Sequence, residues 1–184
     1  MPVSTPYQVL VVGNPVLNTR SDEVTDVDGK FVKLCEDMFT TMYAAPGIGL
    51  AAPQIGVQKR FFVYDLGAGD GQQVLINPEI TGSDGEMEYF EGCLSIPGLH
   101  FDIVRPERVG VKGMDLDGNE VEFEADDLLG RLVQHELDHL DGILMLERMD
   151  DDQRKQALKK IRELQMKAAG TPEPEPKRSI FRLR

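Results

Sequence analysis

The sequence predicts an α+β fold in which antiparallel β-sheets pack around a central helix carrying two of the chain's three histidines. Two observations carry this expectation. Short strand-like runs are grouped in the middle of the chain, and helical periodicity returns only after them. Asp117-Gly118-Asn119 separates two of these runs and reads as a hairpin turn, which makes the pairing antiparallel. No segment of the chain repeats.

The elements follow in order. Residues 27–44 carry Val27, Phe31, Leu34, Cys35, Met38 and Met42 at helical spacing, an amphipathic helix that ends near Ala45-Pro46. Strand-like runs come at Arg60–Asp65, Gln73–Asn77, Glu86–Phe90, Arg108–Met114 and Glu120–Glu124. Asp126 or Asp127 then serves as N-cap for the central helix, with Leu128, Leu129, Leu132, Val133, Leu137 and Leu140 at helical spacing and Gly142 as its stop. A further helix is expected from about Asp151 to Lys167. From Gly170 onward Pro172, Pro174 and Pro176 alternate with charge, a flexible or extended pattern. Residues 1–168 are therefore expected to form one catalytic domain and 169–184 a flexible basic tail.

Composition narrows the function classes. No apolar run reaches the length of a membrane-spanning helix. Two cysteines and no signal-like N-terminus predict a reducing cytoplasm, where a lone thiolate stays reduced. Of the 20 Lys/Arg and 32 Asp/Glu, ten and three lie in residues 153–184, a net of about +7, which leaves about −19 on the preceding 152. An acidic body repels nucleic acid broadly, whereas a basic segment can seek phosphate locally.

His135 and His139 stand at i and i+4 within Gln134-His135-Glu136-Leu137-Asp138-His139, so on a helix their rings project from one side, one turn apart. The apolar stripe shares their helix, so the rings are expected to face a dry pocket. That is the layout of a metal hydrolase: two neutral nitrogen ligands and a base near the water that the metal activates. Glu136 follows the first ligand and can pass a proton from that water to a leaving amine. Asp138 faces elsewhere and reads as solvated or as a partner to a ligand.

A third ligand is needed. A His-x-x-Gly-x-x-His continuation keeps step at Gly142 but ends on Met145, which cannot replace an imidazole. Glu163 sits in a later helix, among Lys159, Lys160 and Arg162, where a solvated ion pair is the simpler reading. Cys93 is the better candidate, because it lies at a turn marked by Gly92, Ser95 and Pro97. Its thiolate completes a Cys-His-His set with a fourth position for water. Zinc, nickel or cobalt suits these donors, and the set alone cannot choose. Cys35, beside Leu34, Met38, Phe39 and Met42, reads as a small buried hydrophobe. Upstream, Gly47 and Gly49 let backbone come close to another chain, and Gln54 offers an amide donor for an oxyanion.

Gly47-Ile48-Gly49-Leu50-Ala51-Ala52-Pro53-Gln54, Glu91-Gly92-Cys93-Leu94-Ser95 and Gln134-His135-Glu136-Leu137-Asp138-His139 together resemble the three ordered motifs of the peptide deformylases, over about residues 5–168. The resemblance implies that Cys93, His135 and His139 bind one divalent metal, with Fe2+ as the native ion. It implies that Glu136 is the catalytic acid and base, and that Gln54 and the backbone N–H of Leu94 hold the oxyanion. Ile48, Gly49 and Gly92 would pair with the substrate as an added strand. Ile48, Leu128 and Leu132, with Tyr89, would wall the pocket for a methionine side chain. The implied reaction removes the formyl group from the N-terminal formylmethionine of new polypeptides and releases formate. Because formylated chains emerge from ribosomes, the basic C-terminal segment becomes a candidate contact to ribosomal RNA. Arg131, one turn before His135, reads as pointing outward or laying its stem along the pocket mouth. His100 reads as a surface histidine or a peripheral contact. Two rivals stand beside this reading: a metallopeptidase with another third ligand, and a non-catalytic ribosome-associated member of the same fold. Intact Gln54 and Glu136 speak against the second, since structure alone does not need them.

Overall fold

The computed structural model of the chain describes residues 5–69, 71–168 and 170. The chain divides into two units, Met1–Met149 and Asp150–Arg184. In the first, helix α1 (Gly29–Ala44) starts at Asp28, whose carboxylate accepts from the N–H groups of Lys30 (3.0 Å) and Phe31 (2.9 Å). Five strands form one antiparallel sheet in the order β1 (Gly49–Ala51), β2 (Phe61–Tyr64), β3 (Gln73–Asp84), β6 (Arg108–Met114) and β7 (Glu120–Ala125). Strands β4 (Met87–Gly92) and β5 (His100–Arg105) pair only with each other, as a separate antiparallel ribbon. Helix α2 (Asp127–Leu140) follows β7 directly.

Side-chain alternation explains how the sheet is covered on both faces. Phe61 and Val63 of β2, with Leu50 and Ile76, join the Phe31, Cys35, Met38 and Met42 face of α1. The residues between them point the other way: Phe62, Ala51 and Leu75 join Leu132, Val133 and Leu140 of α2. The sheet therefore lies between α1 and α2, and burying a large apolar side chain on either face is worth roughly 1.5–3 kcal/mol. Packing of α2 against β1 sets the histidine-bearing helix beside the first glycine motif.

Most expected elements are present, with informative differences. Strand β3 runs on to Asp84, past Pro78, which has no N–H to donate. The β3–β6 ladder slips between Ile76 and Glu79, and the proline sits in that irregularity. Strands β1 and β5 were not expected. β1 is three residues long, and β5 hides its inward face behind a charge, since Ile103 and Arg105 are the buried residues of the strand. The hairpin turn is as expected: Asp115 accepts from the N–H groups of Asp117 (2.9 Å) and Asn119 (2.8 Å), and Gly118 has φ +82°. Gly142 (φ +73°) ends α2, where a Cβ would lie 2.8 Å from the Asn18 backbone.

The second unit holds α3 (Asp151–Ala168), capped by the Asp150 carboxylate on the Gln153 N–H at 2.8 Å. Glu163 pairs with Lys159 at 4.0 Å on its exposed surface, the solvated ion pair expected of it. The expected tail, residues 169–184, lies outside the described residues apart from Gly170.

Candidate active site

Three segments meet at one end of α2. The i, i+4 spacing sets the His135 and His139 rings edge to face, with centroids 5.0 Å apart. Cys93 is the first residue after β4, and its Sγ lies 3.2 Å from His139 Nε2. The donor atoms of Cys93, His135 and His139 all fall within 4.8 Å of one another. Gln54, on a short turn after β1, joins the first motif to the second. Its Oε1 accepts from Ala51 N–H (2.8 Å), while Nε2 donates to Ser95 Oγ (3.1 Å) and lies 3.9 Å from Cys93 Sγ.

Glu91 stands behind the histidines. It is buried on β4 and accepts from His135 Nδ1 (3.0 Å), Arg131 Nη1 (2.9 Å) and Arg105 through Nε (2.8 Å) and Nη2 (3.1 Å). A carboxylate only accepts, so Nδ1 carries a proton, and Nε2 is the ring nitrogen that Glu91 does not engage. Burial raises the Glu91 pKa, but His135 and Arg105 outweigh it and bring the carboxyl down to about 2. Arg105 also donates to Asp138 (2.7 Å), which Arg148 grips through Nε (3.0 Å) and Nη2.

Burial opposes ionisation of Cys93, yet the neighbouring His139 and His135 imidazoles outweigh it and hold the thiol well below its usual range. His135 is raised well above its ordinary value: burial opposes its charge, and the Cys93 thiolate and Glu91 overcome that. Glu136 is buried and its pKa is raised by that burial, a rise limited by the charges of His135 and His139. Its Oε2 has no hydrogen-bond partner among the described residues.

All of this opens on a cleft of about 740 Å3. Ile48, Gly49, Gln54, Gly92, Cys93, Leu94, Leu128, Leu132, His135 and Glu136 line it, so the expected site residues are brought together, with His139 buried directly behind. β1 is the outer strand of its sheet, and Gly49 of β1 and Gly92 of β4 stand on the cleft wall. Tyr89 and His100 are also on its walls, His100 stacked on Phe90 at 5.3 Å and 17°.

Two open alternatives are decided, and the glycines gain a second use. Of the two alternatives for Arg131 the outward one fails, since it is 4% exposed, donates to Glu91, Ile103 O (3.2 Å) and Met87 O (2.6 Å) and places its guanidinium 5.7 Å from the Tyr89 ring, while it does stand on the cleft lining. Asp138 is not solvated, because it is buried between Arg105 and Arg148. The glycines also serve close side-chain approach: a Cβ on Gly49 would lie 2.5 Å from Glu136 Oε1, and one on Gly47 2.7 Å from Leu94 Cδ1. Sequence reading gave Glu91 and Arg105 no role. The only local signal was Glu91's place two residues before Cys93.

The residues present fit a metal ion. One thiolate and two imidazoles are a donor set that a divalent metal would take, and Cys93 and His135 of that set stand on the cleft lining. The buried, unpartnered Glu136 oxygen beside them is what a base next to an activated water requires. Fold and site thus define a metal-dependent hydrolase.

Comparison with known proteins makes the class specific. The family model for polypeptide deformylase matches residues 6–155. The peptide deformylase of Acidothermus cellulolyticus is 46% identical over 155 residues, covering 84% of this chain and 85% of that protein. That of Thermodesulfovibrio yellowstonii is 48% identical over 150 residues, 80% and 91% of the two chains. The crystal structure of a peptide deformylase from Legionella pneumophila superposes with a TM-score of 0.84 at 40% identity, covering 90% of this chain and 99% of that one. The Synechococcus elongatus enzyme in complex with actinonin gives 0.82 at 40% identity over 86% and 89%. The chain belongs to the polypeptide deformylase family, enzymes that remove the N-terminal formyl group from nascent polypeptides.

Proposed function

We propose that deformylation runs on the residues that meet in the cleft, with Cys93, His135 and His139 holding one divalent metal. The bound ion would supply Lewis acidity, making a water nucleophilic near neutral pH and polarising the formyl carbonyl. Gln54 Nε2, already aimed toward the thiolate, and the backbone N–H of Leu94 donate to the oxygen on which charge gathers. Glu136 takes a proton from the attacking water and gives it to the departing amine, and burial raises its pKa above the ordinary carboxyl value. Ile48, Gly49 and Gly92 pair with the substrate backbone as an added strand, and Leu128 and Leu132 receive the methionine side chain. The observation that carries this reading is the approach of three donor atoms to within 4.8 Å beside a buried carboxylate oxygen with no partner.

Ferrous iron is the resident ion proposed, on the family resemblance, since these donors also accept zinc, nickel or cobalt. The cytoplasm is the compartment proposed, because formylated chains begin there and Cys93 must stay reduced. Among the described residues no helix is long and apolar enough to cross a membrane. Actinonin, bound in the Synechococcus elongatus structure, is proposed to occupy the same cleft here. The basic residues 153–184 are proposed to touch ribosomal RNA; deleting them should weaken ribosome binding and spare short-peptide turnover, and unchanged ribosome affinity would sink that part. The central test is formate release from an N-formylmethionyl tripeptide by protein purified without oxygen and loaded with ferrous iron or nickel. Release is expected, lost in Glu136→Ala with metal retained. Silence of the fully metallated wild type would overturn the assignment.

A further inference from the structure

We propose that Arg105 is a positioning residue that joins the strand carrying the thiolate to the helix carrying the imidazoles, and so sets how tightly the three donors hold their metal. The inference rests on the donor set proposed above. Arg105 is 4% exposed on β5, away from the cleft lining, and binds two carboxylates at once. Its Nε and Nη2 hold Glu91 on β4 at 2.8 and 3.1 Å, and its Nη1 holds Asp138 on α2 at 2.7 Å. Each carboxylate adjoins a different donor. Glu91 accepts from His135 Nδ1 at 3.0 Å and lies two residues before Cys93, and Asp138 immediately precedes His139. One planar guanidinium thus spans the ribbon and the helix between which the donors are held, and its fork geometry fixes both carboxylates in direction as well as distance. An ammonium on a flexible stem can satisfy one of these partners but does not reproduce the two-sided clamp. Partners that orient a metal-binding histidine typically change metal affinity by about 10- to 100-fold when removed.

The experiment measures loss of Zn2+ from the full-length protein to a chromogenic chelator, for wild type, Arg105→Lys, Arg105→Met and Cys93→Ala. It is combined with KM and kcat of the metal-saturated proteins toward an N-formylmethionyl tripeptide. Arg105→Met is expected to release zinc about 10- to 100-fold faster, with Arg105→Lys between it and wild type. KM should stay unchanged while kcat falls, because Arg105 does not touch the cleft. Folded Arg105→Met that holds zinc as long as wild type overturns the proposal. Where that variant does not fold, Arg105→Lys decides: a wild-type release rate in folded Arg105→Lys overturns it equally. Cys93→Ala separates the two levels of the argument. If it too keeps its zinc, the donor set is wrong; if it loses zinc while the Arg105 variants do not, only the joint is.

Discussion

The two cysteines of this chain, one on the apolar face of α1 and one beside the histidines of α2, have surroundings that give them opposite chemistry. Cys35 is buried on α1 among Phe31, Met38 and Phe39, and burial pushes its thiol up to about 12. Cys93 is also taken out of water, yet two imidazoles from α2 hold it well below the ordinary thiol range. Burial alone makes a thiol inert, whereas burial beside two imidazoles makes it a candidate ligand. The same contrast holds for their surroundings: the α1 face of the sheet is apolar packing, while the β4–β5 side of α2 is a connected set of buried charges.

The sharpest way to break the comparison is to remove one thiol at a time. Cys93→Ser should bring bound metal and formate release to background, measured by metal analysis of purified protein. Cys35→Ser should leave both unchanged. Next in size, Glu136→Gln should lower kcat/KM by about 10²- to 10⁴-fold, the usual contribution of a positioned acid–base group, with metal content intact.

A stability experiment tests the charged side. The Glu91 carboxyl is held at about 2 in the folded chain against an ordinary 4.5, so its contribution is fully present above about pH 4.5 and is lost as pH falls through about 2. The stability difference between wild type and Glu91→Gln should therefore shrink by of the order of 3 kcal/mol across that window, as read by urea unfolding at a series of pH values. A difference that does not change with pH would mean that Glu91 is not held ionised by its neighbours.

Two smaller effects sharpen the contrast. Gly49→Ala places a Cβ 2.5 Å from Glu136 Oε1 and should displace the carboxylate, costing about 10²-fold in kcat, with bound metal retained. Cys35→Ser puts a hydroxyl into the apolar face and should cost about 1–3 kcal/mol in thermal or urea unfolding, with kcat unchanged.

Much of this was legible in the chain itself. The α1 periodicity, the Arg108–Met114 strand and the Asp117-Gly118-Asn119 turn are all set by near neighbours, and each appears where the pattern put it. β5 was missed because its alternation buries an arginine, so the inward face does not read as apolar. The choice between the two alternatives for Arg131 was left open for a related reason. A charged residue on a helix is expected outside, and only the Glu91 carboxylate and two backbone carbonyls, 28 to 44 residues away, make its burial tolerable.

The sequence by itself determined which donors this protein offers. His135, Glu136 and His139 are fixed relative to one another by the helical repeat, and Cys93 is the cysteine not committed to an apolar helix face. Only the tertiary structure decided how those donors are held. Glu91, Arg105 and Asp138 are 14 and 33 residues apart along the chain, with no spacing rule to connect them. Their pairing exists because the ribbon β4–β5 folds against α2, and buried charges there have to find one another. Gly49 teaches the same lesson at smaller scale. Its missing side chain is visible in the sequence, but the carboxylate that needs the space is contributed by a helix 87 residues later.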